Sequence, residues 1–188
     1  MMDFKPYLAF FLFVLFGCSS NQKQEEIIVF EYILGESNTK SLDLLVSDFE
    51  LNLKKIYPKL SLTEAYKQYM KDIVNPKIKD WDKFYFKSEK TRNLFKESGF
   101  YDELYINNKS FDLLAKDSIN TIEFNSIGKY MHALYSIKDS DSLINKYYNR
   151  KEAVGIMQNK LFVNGFLSFE PNFNNYFHKR IAVIEFSF

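Results

Sequence analysis

Cysteine occurs once in 188 residues, as Cys18. No disulfide can therefore form within the chain, and no thiolate cluster can hold a metal. Histidine occurs twice, as His132 and His178, and neither has a His, Asp or Glu three or four residues away. A zinc site needs three or four clustered donors, so no metal is expected and both histidines read as core-edge or exposed side chains. Of 25 basic residues only Arg92, Arg150 and Arg180 are arginines, too few for the guanidinium clusters that recognise phosphate or carboxylate. Basic and acidic residues nearly cancel, with a net charge of +1. No basic stripe or acidic tail stands out, so nucleic acid is not an expected partner. Six glycines and four prolines leave no flexible linker to divide the chain.

Long apolar runs are also scarce. The one that stands out is Leu8 to Phe16, LAFFLFVLF, behind a weakly charged lead from Met1 to Tyr7 in which Lys5 and Asp3 offset one another. A bilayer-spanning helix needs about 20 apolar residues, so this run is too short. It fits the apolar region of a secretory signal, roughly 7–15 residues long. The run closes on Leu15-Phe16-Gly17-Cys18, which resembles the lipobox of bacterial lipoprotein precursors. The resemblance covers residues 1–18. It implies that residues 1–17 are a signal peptide, that Cys18 receives a thioether-linked diacylglyceryl group, and that its new amine is acylated, with palmitate. One acyl chain holds a protein only marginally, whereas two or three suffice. Ser19 directly after Cys18 is similar to lipoproteins sorted to the outer membrane. Glu25-Glu26 resembles the acidic surface-export signal of Bacteroidota lipoproteins. The resemblance thus implies an envelope protein with the membrane as its partner, facing the periplasm or the cell surface. Residues 18–26 read as acylated cysteine plus a polar tether, whose last eight residues reach at most roughly 25 Å. Residues 27–188 are enough for a single domain with a core of its own.

Helical signals dominate that domain. Leu42, Leu45, Phe49, Leu53 and Ile56 form one stripe at 3–4 spacing before Pro58. Ser61-Leu62-Thr63-Glu64 is a capping-box sequence ahead of Ala65, Tyr66, Tyr69, Met70 and Ile73. Ser88 to Ser98 reads as a shorter helix closed by Gly99, followed by a turn or two from Phe100 to Ile106. Asn107-Asn108 is a turn signal, and a short helical piece is expected from Phe111 to Lys116. Ser126 is the expected cap of a helix carrying Ile127, Tyr130, Met131, Leu134 and Ile137. Asp139 or Ser140 should start another, ended by Gly155. Ile27 to Leu34 is ambiguous between strand and helix. Asn164-Gly165 suggests a two-residue hairpin turn, and Ile181 to Phe188 favours a strand. The expected fold is mainly α, with an α+β alternative that places a small hairpin or sheet in the C-terminal third.

Chemical motifs are few. There is no G-x-S-x-G, no P-loop, no dinucleotide fingerprint and no S-x-x-K with its partner motifs. Asp139-Ser140-Asp141 begins like a calcium loop, but positions six and twelve hold Ile144 and Arg150 instead of Gly and Glu. These acidic residues read instead as a helix N-terminus. Aromatics are in excess, with one Trp, 13 Tyr and 20 Phe. Most are expected in the core, and Trp81, read as lying in a loop, is the first candidate for an exposed stacking platform. Asp117-Ser118-Ile119 and Asp141-Ser142-Leu143 resemble the three-residue O-glycosylation motif of exported Bacteroidota proteins. The expectation is a non-enzymatic binding or interaction module without a cofactor, held through Cys18, with its ligand-binding residues unassigned. The alternatives are an envelope hydrolase whose carboxylates converge only in the fold, or an immunity or inhibitor lipoprotein.

Overall fold

Helix formation is set locally at several points along the chain and completed by one buried helix. The computed structural model describes residues 23–112 and 117–187, and the lipobox and Cys18 lie outside them. Helix α1 spans residues 23–34 and so begins inside the segment expected to be tether. Its ambiguity resolves as helix because Phe30 and Leu34 are buried on one face with Ile27 packed beside them. Gly35, with φ 87°, turns the chain into α2, Glu36–Ile56. Leu42, Leu45, Phe49 and Leu53 form its buried stripe, as the spacing predicts.

Helix α3, Leu62–Ile73, starts at the expected capping box. The Ser61 N–H donates to Glu64 Oε2 at 3.0 Å, and the Glu64 N–H donates to Ser61 Oγ at 3.3 Å. A single 3-10 turn at Asp82–Phe84 leads to α4, Glu89–Glu97, capped by Ser88. Gly99, at φ 75°, closes α4 and opens α5, Phe100–Leu104. That left-handed backbone angle suits glycine.

Strands β1, Tyr105–Asp112, and β2, Asp117–Phe124, then form an antiparallel hairpin, with Tyr105 opposite Phe124 and Asp112 opposite Asp117. This is the small sheet of the α+β alternative, but it lies in the middle of the domain and not in its C-terminal third. Asn107-Asn108 stand in mid-strand, opposite Ile122 and Thr121, and make no turn. Phe111 and Asp112 are strand and not helix.

Helix α6 is Lys129–Ile137 and its N-cap is Gly128, not Ser126. The cap is supplied from elsewhere: Glu103 Oε2 accepts the Lys129 N–H at 2.9 Å. A Cβ on Gly128 would stand 2.1 Å from the Glu103 carbonyl oxygen, so this approach requires glycine. A 3-10 turn, Lys138–Ser140, leads to α7, Ser142–Val154, capped by Asp141 and closed by Gly155.

Helices α8, Asn159–Ser168, and α9, Tyr176–Phe186, replace the expected hairpin and strand. Phe162, Val163 and Phe166 are the buried positions of α8, a helical spacing. Gly165 faces Arg150, whose Nη1 would lie 1.8 Å from an added Cβ. The glycine stands inside α8 and makes no turn. Helix α9 is buried nearly all round, from Phe177 to Phe186 apart from Lys179.

The fold is mainly α, and α9 packs against α2, α7 and α8. Phe49 is an aromatic hub, with Tyr69 at 4.7 Å, Phe86 at 4.9 Å and Tyr66 at 5.2 Å between ring centroids. Phe30 of α1 meets Tyr130 of α6 at 6.4 Å and Phe177 of α9 at 5.4 Å.

Candidate functional site

The strongest convergence of polar side chains lies where α1 begins, α7 begins and the chain enters α9. A cleft of about 340 Å³ opens there between Lys23 and Glu26 of α1, Asp141, and the segment from Asn172 to Tyr176. A shallower depression continues past Asp139 towards Ser136, and Glu25 and Glu26 border it.

Beneath the cleft Asp141 and His178 form a pair. Asp141 Oδ1 accepts the backbone N–H groups of Leu143 at 2.8 Å and Ile144 at 3.3 Å, which caps α7. Asp141 Oδ2 lies 3.0 Å from His178 Nε2. The other ring nitrogen, His178 Nδ1, accepts the Asn172 N–H at 3.0 Å. A nitrogen facing a donor carries no proton, so the imidazole is the Nε2–H tautomer and donates to Asp141. The hydrogen bond from His178, with the two backbone N–H groups, holds the Asp141 carboxyl below its ordinary pKa against the effect of burial.

An aspartate–histidine pair is also the orienting half of a hydrolytic triad, in which the free imidazole nitrogen takes a proton from a nucleophile. Here that nitrogen is occupied by a main-chain N–H. The pair clips α9 to the start of α7 and leaves no lone pair for proton transfer. Glu36, Asp48, Glu64 and Asp141 are all held below the usual carboxylate range by hydrogen bonds.

A second polar cluster is buried. Lys151 Nζ and Glu185 Oε1 are 2.6 Å apart, with both side chains under 5% exposed (3% and 4%). The Tyr147 hydroxyl donates to the same carboxylate oxygen at 2.6 Å, and the ammonium stands 4.2 Å from the centre of the Phe124 ring. Burial, then the Glu185 charge, push the Tyr147 hydroxyl well above its usual pKa. None of the described clefts is lined by these four residues, which makes the cluster a tie between α7, α9 and the base of the hairpin.

The remaining candidates are dispersed. His132 is exposed on α6, and His178 is 6% exposed. Among the described residues no group of three or more His, Cys, Asp or Glu could hold a metal ion. Trp81 is half exposed and leans on Phe84, with ring centroids 5.7 Å apart. Tyr85 is exposed nearby, but Phe84 between them turns into the core. Ser118 and Ser142 of the two glycosylation-like triplets are both exposed. Asp141 of the second triplet is already committed to its cap. The His178 contact was not legible in sequence, because its partner is 37 residues away and no local spacing marks it.

No protein-family model, curated protein or solved structure matches this chain.

Proposed function

We propose that this chain is a cell-envelope lipoprotein, held at the outer membrane through acylated Cys18, whose helical domain is a non-enzymatic interaction module. The observation that carries the reading is Leu15-Phe16-Gly17-Cys18 at the end of a nine-residue apolar run. A lipid anchor also accounts for membrane attachment without a spanning element, because no helix among the described residues is long and apolar enough to cross a membrane. The interaction-module reading is supported by the commitment of the cleft's ionisable pair to helix capping. It is supported further by the burial of the Lys151–Glu185 pair away from the described clefts.

The test is the intact mass and membrane fractionation of the wild type and Cys18→Ala, with protease shaving of whole cells. The wild type should be cleaved before Cys18, carry two or three acyl chains and sediment with outer membranes. Cys18→Ala should remain uncleaved or become soluble. A wild type that is unmodified and soluble overturns the reading, and shaving separates surface from periplasmic display.

A further inference from the structure

We propose that the outward face of α1 is a membrane-docking surface that lies in the headgroup region of the bilayer. This rests on the lipoprotein reading above and specifies how the anchored domain sits. Ile28, Val29 and Tyr32 stand together on this face and are 59%, 42% and 87% exposed, whereas Phe30 and Leu34 on the opposite face are buried. The buried face fixes the rotation of the helix, so the apolar stripe is held outward. Tyr32 is the most exposed of the large hydrophobic side chains among the described residues. An amphipathic ring suits the interface between lipid and water.

The length of chain chooses the occupant. Four residues, Ser19 to Gln22, separate Cys18 from the first described residue of α1. Five Cα steps reach at most roughly 18 Å, and Ile28 is only about 8 Å further along the helix. So short a connection holds the stripe within about 26 Å of Cys18 and lets it reach the lipid surface. Charge chooses the lipid. Glu25, Glu26, Glu31 and Glu36 flank the stripe against Lys23 and Lys40, and Lys40 is already paired with Glu36 at 2.6 Å. The contact is therefore apolar and favours zwitterionic over anionic headgroups.

The experiment uses the acylated protein, its mass verified, in phosphatidylcholine vesicles carrying brominated acyl chains, which quench tryptophan at shallow depth. Trp81 is the one tryptophan and lies at the far end of α2, next to the groove lined by Asn52 and Ile56. It reports on the distal side in the wild type. Tyr32→Trp in a Trp81→Phe background reports on the stripe. The expected result is at least two-fold quenching with a blue-shifted emission for Tyr32→Trp, little quenching of Trp81, and weaker quenching when phosphatidylglycerol is added. Acylated protein that floats with the vesicles but leaves Tyr32→Trp unquenched overturns the docking surface while the anchor stands. A stripe covered by a second copy, detected as a dimer by sedimentation with no quenching, overturns it as well. If mass measurement of the protein recovered from membranes shows no acyl group on Cys18, the lipoprotein reading itself falls.

Discussion

Asp141 performs two tasks with two oxygens, capping α7 with one and receiving His178 with the other. For the contact with the His178 Nε2–H, Asp141 requires the second carboxylate oxygen. Its folded pKa lies below the unfolded value of about 4, so its contribution is fully present above that pH and is lost as pH falls through the folded value. Asn at this position keeps a capping oxygen but turns an amide N–H₂ towards the His178 Nε2–H. We expect Asp141→Asn to cost about 1–3 kcal/mol at pH 7 and to flatten the loss of stability below about pH 4. Urea unfolding midpoints of both proteins between pH 3 and 7 check this, and equal slopes on the acid side would contradict it. Asp141 was visible in sequence as part of an acidic helix start. Its second role was not, because a contact between side chains on two different helices leaves no local periodicity.

Helix α9 is held from several sides by ionic contacts. Lys151 of α7 meets Glu185, Asp43 of α2 accepts from Arg180, and Glu50 of α2 accepts from Lys179 at 3.0 Å. Of these, the Lys151–Glu185 pair is the most buried. Removing one buried partner leaves an uncompensated charge and costs about 3–5 kcal/mol, whereas replacing both with apolar groups is often neutral. Glu185→Gln should therefore lose about 3–5 kcal/mol in chemical denaturation. Lys151→Met with Glu185→Leu should lose distinctly less than the sum of the single variants. An additive result would mean the two side chains do not act as a pair.

The elements that were legible had either one apolar stripe or a local cap: α2 through its 3–4 spacing, α3 through Ser61 and Glu64, α4 through Ser88 and Gly99. Those misread failed for physical reasons. Helix α9 is buried nearly all round, its charged side chains Arg180 and Glu185 included, and a helix buried all round has no period to separate it from a buried strand. Gly165 beside Asn164 signals a turn by composition, yet its missing Cβ makes room for Arg150. The hairpin was missed because its strands alternate poorly. Ile106, Ile119 and Ile122 are all partly exposed, and among the described side chains of the hairpin Tyr105 and Phe124, at its base, reach the core.

Across the whole molecule, sequence order and spatial order run opposite ways. The centre of the core is Tyr176–Phe186, and the helices that surround it come earlier in the chain. Phe186 stands 5.2 Å from Tyr69 and 5.4 Å from Phe162 between ring centroids, and Phe177 underlies Phe30. A chain stopped after residue 175 lacks all of these partners. We expect it to lose the cooperative thermal transition and to be digested at least tenfold faster in limited proteolysis, since the open form is then the dominant one. A truncated chain that still melts cooperatively would show that the surrounding helices pack without their centre. For the intact chain the same arrangement sets a schedule. Everything up to residue 175 is made before α9, so the helices that pack on it stay incomplete until that helix has been synthesised.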